Sequence, residues 1–376
     1  MLLRDNWHGA TRKCLQRFMS ANFIFAPILE NQLLMLDRRG RSLVTEYTNI
    51  LIMKPGAIGD LLHLTPVIRM LSRRFPKAKI TLLVGSPLTA AMFDHHPSVY
   101  EALVFEKTGT HRTFRALVAL RRRLKESHYD LVLNYQRSNL KLWFLALAAW
   151  TCRVLIYHKT RRKVHAVMNH LEAVYPLGIR PDDMHLDLFL SPRDERYATN
   201  AMMGHSGPFI AMNPGASNRI KCWSPQRFAE LADRLSAELG ACVVIVGALD
   251  ERDLADAICD SMQTAPINML GKTDLLQLGA ILKHCNVVVS GDTGPLHMAT
   301  AVGTPAVALF GAIDPERTGP VGEGHRIIRH KELGCVPCNA KRCRNARYLE
   351  CMDRISVNEV FLAVAQILEE RRSLSV

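Results

Sequence analysis

The sequence predicts an α/β protein with two doubly wound parallel-sheet domains, and three observations predict it. The first is the stretch Val287-Val288-Val289-Ser290-Gly291-Asp292-Thr293-Gly294-Pro295-Leu296-His297. Three valines make a short buried strand, a Gly-Asp-Thr-Gly turn follows, and Pro295 suits the first position of a helix. That helix is expected to reach about Val302, with Gly303 stopping it and Thr304 to Phe310 forming the next strand. The second is that strand and helix patterns alternate twice, before and after a polar stretch at Ser191 to Gly207. The third is size: 376 residues, 48% of them hydrophobic, suffice for two cores.

In the first half, Asn49 to Met53 reads as the opening strand and Lys54-Pro55-Gly56-Ala57-Ile58-Gly59-Asp60 as its loop. Leu61 to Arg74 is a helix that Pro66 kinks or restarts. Strands at Lys79 to Val84, Glu101 to Phe105 and Asp130 to Asn134 follow, with a basic helix at about Phe114 to Ser127. Ser191 to Gly207 reads as the interdomain connection, after which the pattern restarts with a strand at Phe209 to Met212. Ser224 and Pro225 start a helix that ends near Leu239. Strands at Ala241 to Val246 and Ile267 to Leu270 lead, through a helix ending near His284, to the valine strand. Val357 to Arg371 is the last helix. The expected organisation is an extension over residues 1–45, a domain over 46–190, a connection over 191–207 and a second domain over 208–376.

The formal net charge is +13, with basic runs at Arg112 to Lys125 and Arg153 to Lys163, both in the first half. Such clusters are either solvated helix faces or the footprint of an anionic partner. No aromatic-interleaved nucleic-acid signature accompanies them, so nucleic acid is not an expected partner. In residues 1–45, Leu15, Phe18, Phe25, Leu29, Leu33 and Leu36 share a helical face between basic ends. No run there is long and apolar enough to span a bilayer. The segment either lies on an anionic membrane surface or packs on the body of the protein. The cysteines form no secreted disulfide scaffold and no signal peptide is visible, so a cytoplasmic setting is expected. Cys335, Cys338, Cys343 and Cys351 form C-x2-C-x4-C-x7-C. Four thiolates suit structural zinc, but the spacing is not that of a standard finger or ribbon, and an iron–sulfur site or loop or core thiols are the alternatives.

The chemistry follows from which residues sit at the carboxyl ends of strands. The start of the Pro295 helix favours an anion, through free N–H groups and the helix dipole. Asp292 or Thr293 can cap it, and His297 lies in its first turn. Lys221 can hold a phosphate as a point charge. Asp250 or Glu251, after a strand, can accept both hydroxyls of a ribose. The loop Gly56 to Asp60 is not G-x-G-x-x-G, so no dinucleotide fingerprint is present. What it offers is Asp60, either a helix cap or a general base facing a diphosphate leaving group.

Lys54-Pro55-Gly56-Ala57-Ile58-Gly59-Asp60 with Leu64-Thr65-Pro66, then Asn213-Pro214-Gly215-Ala216, Lys221-Cys222-Trp223-Ser224-Pro225, Gly291 to His297 and Phe310-Gly311-Ala312-Ile313-Asp314-Pro315 occur in this order. Together they resemble the lipopolysaccharide heptosyltransferases of glycosyltransferase family 9, from about Asn49 to the C-terminus. The resemblance implies the GT-B fold and inverting, metal-independent transfer of heptose from ADP-heptose to inner-core lipopolysaccharide. It implies Asp60 as general base, Lys221 on the donor phosphate, and Thr293 and Gly294 in the diphosphate turn. Asp292 and His297 would lie beside the donor sugar, and Glu251 would bind ribose, with Asp250 the alternative. Where the family commonly has Asp-x-Gln, this chain has Asn134-Tyr135-Gln136, which bears on the acceptor contacts expected of Gln136 and Arg137. No cofactor is expected for catalysis. The implied partners are the donor, a lipid A–Kdo acceptor and the inner-membrane surface, with the enzyme cytoplasmic or peripheral on that membrane. The competing readings are a GT-B transferase for another nucleotide sugar, a non-catalytic sugar-nucleotide binder and a sugar-nucleotide epimerase.

Overall fold

The computed structural model describes residues 46–136, 140–146, 153–158 and 162–374. The expected amphipathic extension over 1–45 and the acceptor candidate Arg137 lie outside the described residues, as do Arg161 and Cys152.

The first sheet holds β1 (Asn49–Met53), β2 (Lys79–Val84), β3 (Val99–Val104), β4 (Leu131–Asn134) and β5 (Arg153–Ile156). Their order is β3-β2-β1-β4-β5, and every pairing is parallel. The second sheet holds β6 (Phe209–Asn213), β7 (Cys242–Ile245), β8 (Ile267–Asn268), β9 (Val287–Gly291), β10 (Ala306–Leu309) and β11 (Arg326–Ile328). Its order is β11-β10-β9-β6-β7-β8, again all parallel. The central strands are apolar runs because helices cover both faces. β9 is buried at all of its positions, and β1 and β6 at all but their first.

Each sheet has one point where the strand order reverses: between β1 and β4 in the first, and between β6 and β9 in the second. Doubly wound sheets take ligands at such points, at the carboxyl ends of the two strands. In register, Met53 faces Asn134 at the first such point and Asn213 faces Ser290 at the second.

The expected helix over Leu61 to Arg74 is two helices, Ile58–Leu62 and Thr65–Arg74, with Pro66 in the first turn of the second. The cause is proline's missing N–H, which is tolerated only where a helix begins. Most of Ser191 to Gly207 is also helical: Ser191 and Asp194 form a capping box on Pro192–Met202. That helix packs on Leu275–His284 of the second half. One buried apolar cluster joins the halves, running from Ile50, Leu61 and Val67 to Ala211, Val288 and Leu296. Among the described residues no helix is long and apolar enough to cross a membrane.

Candidate active site

The second sheet's switch point builds a rigid polar cradle. Asn213, at the end of β6 and 3% exposed, spreads its amide donors over three acceptors. Nδ2 lies 3.0 Å from Thr293 Oγ1, 3.1 Å from the Gly215 carbonyl and 3.3 Å from Ser290 Oγ. Ser290 and Thr293 share a further hydrogen bond of 2.9 Å. Thr293 is thus the N-cap of helix Gly294–Ala301 by position, but its hydroxyl faces Asn213 and does not cap the helix. Asp292 does not cap it either. The first-turn N–H groups therefore remain available to an anion, which a capping side chain would have occupied.

Lys221 ends a 3-10 turn, Arg219–Lys221, which the Asn218 side chain caps by accepting from the Ile220 N–H. Its Nζ meets Asp292 Oδ2 at 2.5 Å and the Asp292 carbonyl at 3.2 Å. Nε2 of His297, one helical turn on, stands 3.7 Å from Asp292 Oδ1. Burial opposes ionisation of Asp292, but the His297 contact and the Lys221 charge outweigh it. They hold the carboxyl down at about 2.

Glu251 is fixed from the other side of the cradle. Its Oε2 accepts the Ala248 N–H at 3.0 Å. The carboxylate sits where a Cβ on Gly215 would be, so only glycine admits it. Burial, first, raises its pKa. Asp250 is exposed on the same 3-10 turn. Of the two ribose candidates, the structure brings Glu251 to the cradle and leaves Asp250 in solvent.

On the first sheet, Asp60 lies in helix Ile58–Leu62, directly after the β1 loop. The Ala57 N-cap has no side-chain cap bond, so Asp60 is not spent as a cap. Its side chain is 49% exposed, and Oδ1 is 3.2 Å from Nζ of Lys54. Lys54 was not singled out by the sequence, yet it is 6% exposed and lies between Asp60 and His170. Gln136 is half-buried at the end of β4, across the same switch point, and its N–H donates to Asn134 Oδ1 at 2.9 Å. Asn134, the departure from Asp-x-Gln, is fully buried, and its Nδ2 has no partner among the described residues.

The two halves meet at this point. Helix Ile58–Leu62 packs on helix Gly294–Ala301. A Cβ on Gly59 would stand 2.5 Å from Cδ2 of His297, so the residue before Asp60 touches helix Gly294–Ala301. His63 stacks edge-on against His297, with centroids 4.4 Å apart, and against His165 at 5.5 Å. His165 spans the seam: Nδ1 accepts from Val167 N–H at 3.3 Å and Nε2 donates to the Gly319 carbonyl at 3.1 Å. Burial first, then neighbouring positive charge, drives the His63 pKa far down. The same causes take His170 to about 3. This histidine seam has no sequence signal, because its members come from separate elements and bear no helical or strand spacing to one another.

The four C-terminal cysteines are free thiols that line one cavity of about 490 Å³ with Ile220, Ala312 and Leu349. The segment is tied to the loop after β10 by the Asn339 N–H, which donates to the Ala312 carbonyl at 2.8 Å. Among the described residues no group of three or more His, Cys, Asp or Glu side chains is arranged to hold a metal ion.

Comparison with known proteins gives a consistent answer. The chain is 28% identical over 341 residues to lipopolysaccharide heptosyltransferase 3 of Escherichia coli K12, covering 83% of this chain and 96% of that one. Its structure resembles that of a family 9 glycosyltransferase from Veillonella parvula, with a TM-score of 0.77 at 21% identity over 88% of this chain and 99% of that one. It also resembles E. coli ADP-heptose lipopolysaccharide heptosyltransferase II, with a TM-score of 0.71 at 22% identity over 86% and 100%. The two facing parallel sheets are accordingly the GT-B fold. The model of glycosyltransferase family 9 (heptosyltransferase) matches residues 117–349, more than half of the chain. This protein therefore belongs to glycosyltransferase family 9.

Proposed function

We propose that the chain transfers heptose from ADP-heptose to the inner core of lipopolysaccharide, with inversion and with Asp60 as general base. Support comes from the names of its relatives, which give lipopolysaccharide for one 28% identical to it and ADP-heptose for an enzyme of the same fold. The observation that carries the reading is the seam at Gly59 and His297. It sets Asp60 one residue from the helix whose N-terminus favours a diphosphate.

In the proposed reaction the acceptor oxygen bonds to the anomeric carbon and its proton passes to Asp60. The bond from that carbon to the diphosphate breaks, and ADP leaves with the electron pair. Attack from the face opposite the leaving group inverts the centre. Lys221 and the first-turn N–H groups of the Gly294 helix stabilise the charge on ADP, which supplies the role a metal has in other transferases. Glu251 takes the ribose hydroxyls, Thr293 and Gly294 hold the diphosphate, and Asp292 and His297 face the sugar. The first domain is the acceptor side, with Gln136 and Arg137 as contacts. Its basic residues suit the phosphates and Kdo carboxylates of a lipid A–Kdo acceptor. The enzyme works from the cytoplasmic side and meets that acceptor at the inner-membrane surface, with residues 1–45 as the segment that holds it there.

The test is to incubate the chain with defined truncated core lipids and ADP-, GDP- or UDP-sugars, and to weigh the products. A mass gain of one heptose with ADP-heptose alone is expected. Transfer from another nucleotide sugar, or release of a changed donor without acceptor, would replace this reading with a different transferase or an epimerase.

For the four cysteines the reading is structural zinc, supported by four thiols that line one cavity. Holding an ion requires those thiols to draw together, so metal content of the purified chain decides it. About one zinc per chain is expected, and a metal-free chain with full activity removes the site.

A further inference from the structure

Lys54 is an unusual place for a positive charge. It is 6% exposed, at the carboxyl end of β1, where its backbone N–H continues the sheet by donating to the Leu83 carbonyl at 3.0 Å. A buried ammonium is costly unless each proton finds a partner. The structure supplies three: Asp60 Oδ1 at 3.2 Å, His170 Nε2 at 3.5 Å, and the ring of Tyr157, whose centroid lies 6.0 Å away.

The state of His170 follows from its other contact. Nδ1 faces the His63 carbonyl at 3.3 Å, and a carbonyl only accepts, so Nδ1 carries the proton. Burial first, and then Lys54 itself, keeps the ring neutral. Nε2 is therefore a lone pair, the correct partner for an ammonium. The His170 carbonyl is held in turn by the Tyr135 hydroxyl at 3.0 Å, and the Tyr157 hydroxyl donates to Asn169 Oδ1 at 2.7 Å. The far side of Lys54 is thus fixed by two tyrosines and a neutral histidine. Only its near side faces a group that is half in solvent.

We propose that Lys54 is a positioning residue for the base: it binds Oδ1 of Asp60 and leaves Oδ2 to take the acceptor proton. The inference rests on Asp60 being the base. A free carboxylate on a short helix samples several rotamers, and its two oxygens are equivalent. Tying one oxygen to a buried, immobile ammonium fixes the side chain and leaves the other oxygen for the acceptor. Well-placed catalytic groups depend on this kind of support, since a displacement of about 1 Å can cost on the order of 100-fold in rate.

The test is a double-mutant cycle on the full chain, with Lys54→Met, Asp60→Asn and the pair. Transfer kinetics and ADP affinity are measured for each. Lys54→Met is expected to lower kcat roughly 10- to 100-fold with ADP affinity within about twofold of wild type. Asp60→Asn is expected to lower kcat roughly 1,000-fold. Because Lys54 acts through Asp60, adding Lys54→Met to Asp60→Asn should cost less than about twofold more. Lys54→Arg, which keeps the charge, should recover part of the loss. Additive losses in the cycle, a Lys54→Met enzyme with wild-type kcat, or a loss matched by weaker ADP binding would overturn the proposal. If Lys54→Met does not fold, Lys54→Arg and Lys54→Gln run the same cycle. If Asp60→Asn keeps its activity, the base assignment falls and this inference with it.

Discussion

Two aspartates, one on each sheet, differ in how far the fold encloses the same side chain. Asp292 is 9% exposed, in contact with Lys221 and facing His297. Asp60 is 49% exposed and pairs with one cation, through one oxygen. Both follow a central strand at the point where its sheet's order reverses. The Asp292 carboxylate is enclosed in an ion network with Lys221 and His297. The Asp60 carboxylate has one oxygen anchored by Lys54 and is half exposed. A group that binds can be neutralised and enclosed. A group that must take a proton from an incoming hydroxyl has to remain reachable.

The largest expected effect breaks the enclosed side. Asp292→Ala leaves Lys221 without its carboxylate in a partly buried site, and removing one partner of such a pair costs about 3 kcal/mol or more. Thermal unfolding should show a clear loss, together with weaker ADP binding. An exposed-site loss of under about 0.5 kcal/mol would mean that the pair is ornamental. Next, Gly59→Ala drives a methyl into His297, itself 4% exposed. Overpacking should cost about 1–3 kcal/mol, and transfer should fall more than ADP binding, because the change separates the two sides. Third, Glu251→Ala should weaken ADP binding about tenfold by calorimetry, while Asp250→Ala should change it less than twofold. Equal effects would return the ribose role to both residues.

Acid stability separates the two sides by pH. His170 titrates near 3 when folded, and His96 near 4, because both are buried. Unfolded histidines bind a proton near 6.5, so the unfolded state takes up more protons below that pH. Stability is therefore lost as pH falls from about 6.5 toward 3, by about 1.4 kcal/mol per pH unit for each such group. Asp292 acts later. Its folded pKa of about 2 lies below its ordinary value of 3.8, so its contribution is present above about 4 and disappears as pH falls toward 2. Denaturant melts of His170→Gln should show a shallower slope between pH 6 and 4. An unchanged slope would place the acid sensitivity elsewhere.

How much of this is legible in the sequence depends on whether the signal is local. The valine strand β9, its turn and Pro295 are local, and they appear where the pattern puts them. Pro66 marks a helix start for the same reason. β5 and β11 are edge strands with no fully buried position, and the sequence pattern does not mark them. β5 begins at Arg153, inside a run that reads as a basic cluster. That arginine is used structurally, donating at 3.2 Å to the Tyr47 hydroxyl and to the Pro176 carbonyl. Capping of the Pro295 helix by Asp292 or Thr293 is a local expectation; Asn213, 80 residues away in the chain, engages Thr293 instead, and Lys221, 71 away, engages Asp292. Lys54 sits inside a motif that the sequence does show, but its partner His170 lies 116 residues on. Only the folded sheet brings them together.

The central claim is that Asp60 moves the proton while the Gly294 helix and Lys221 hold the donor. The most direct test is one substitution, Asp60→Asn, read two ways. Transfer of heptose from ADP-heptose should fall by about 100- to 10,000-fold, while the ADP dissociation constant stays within about twofold of wild type. Transfer within about tenfold of wild type, or loss of ADP binding in step with activity, would contradict it.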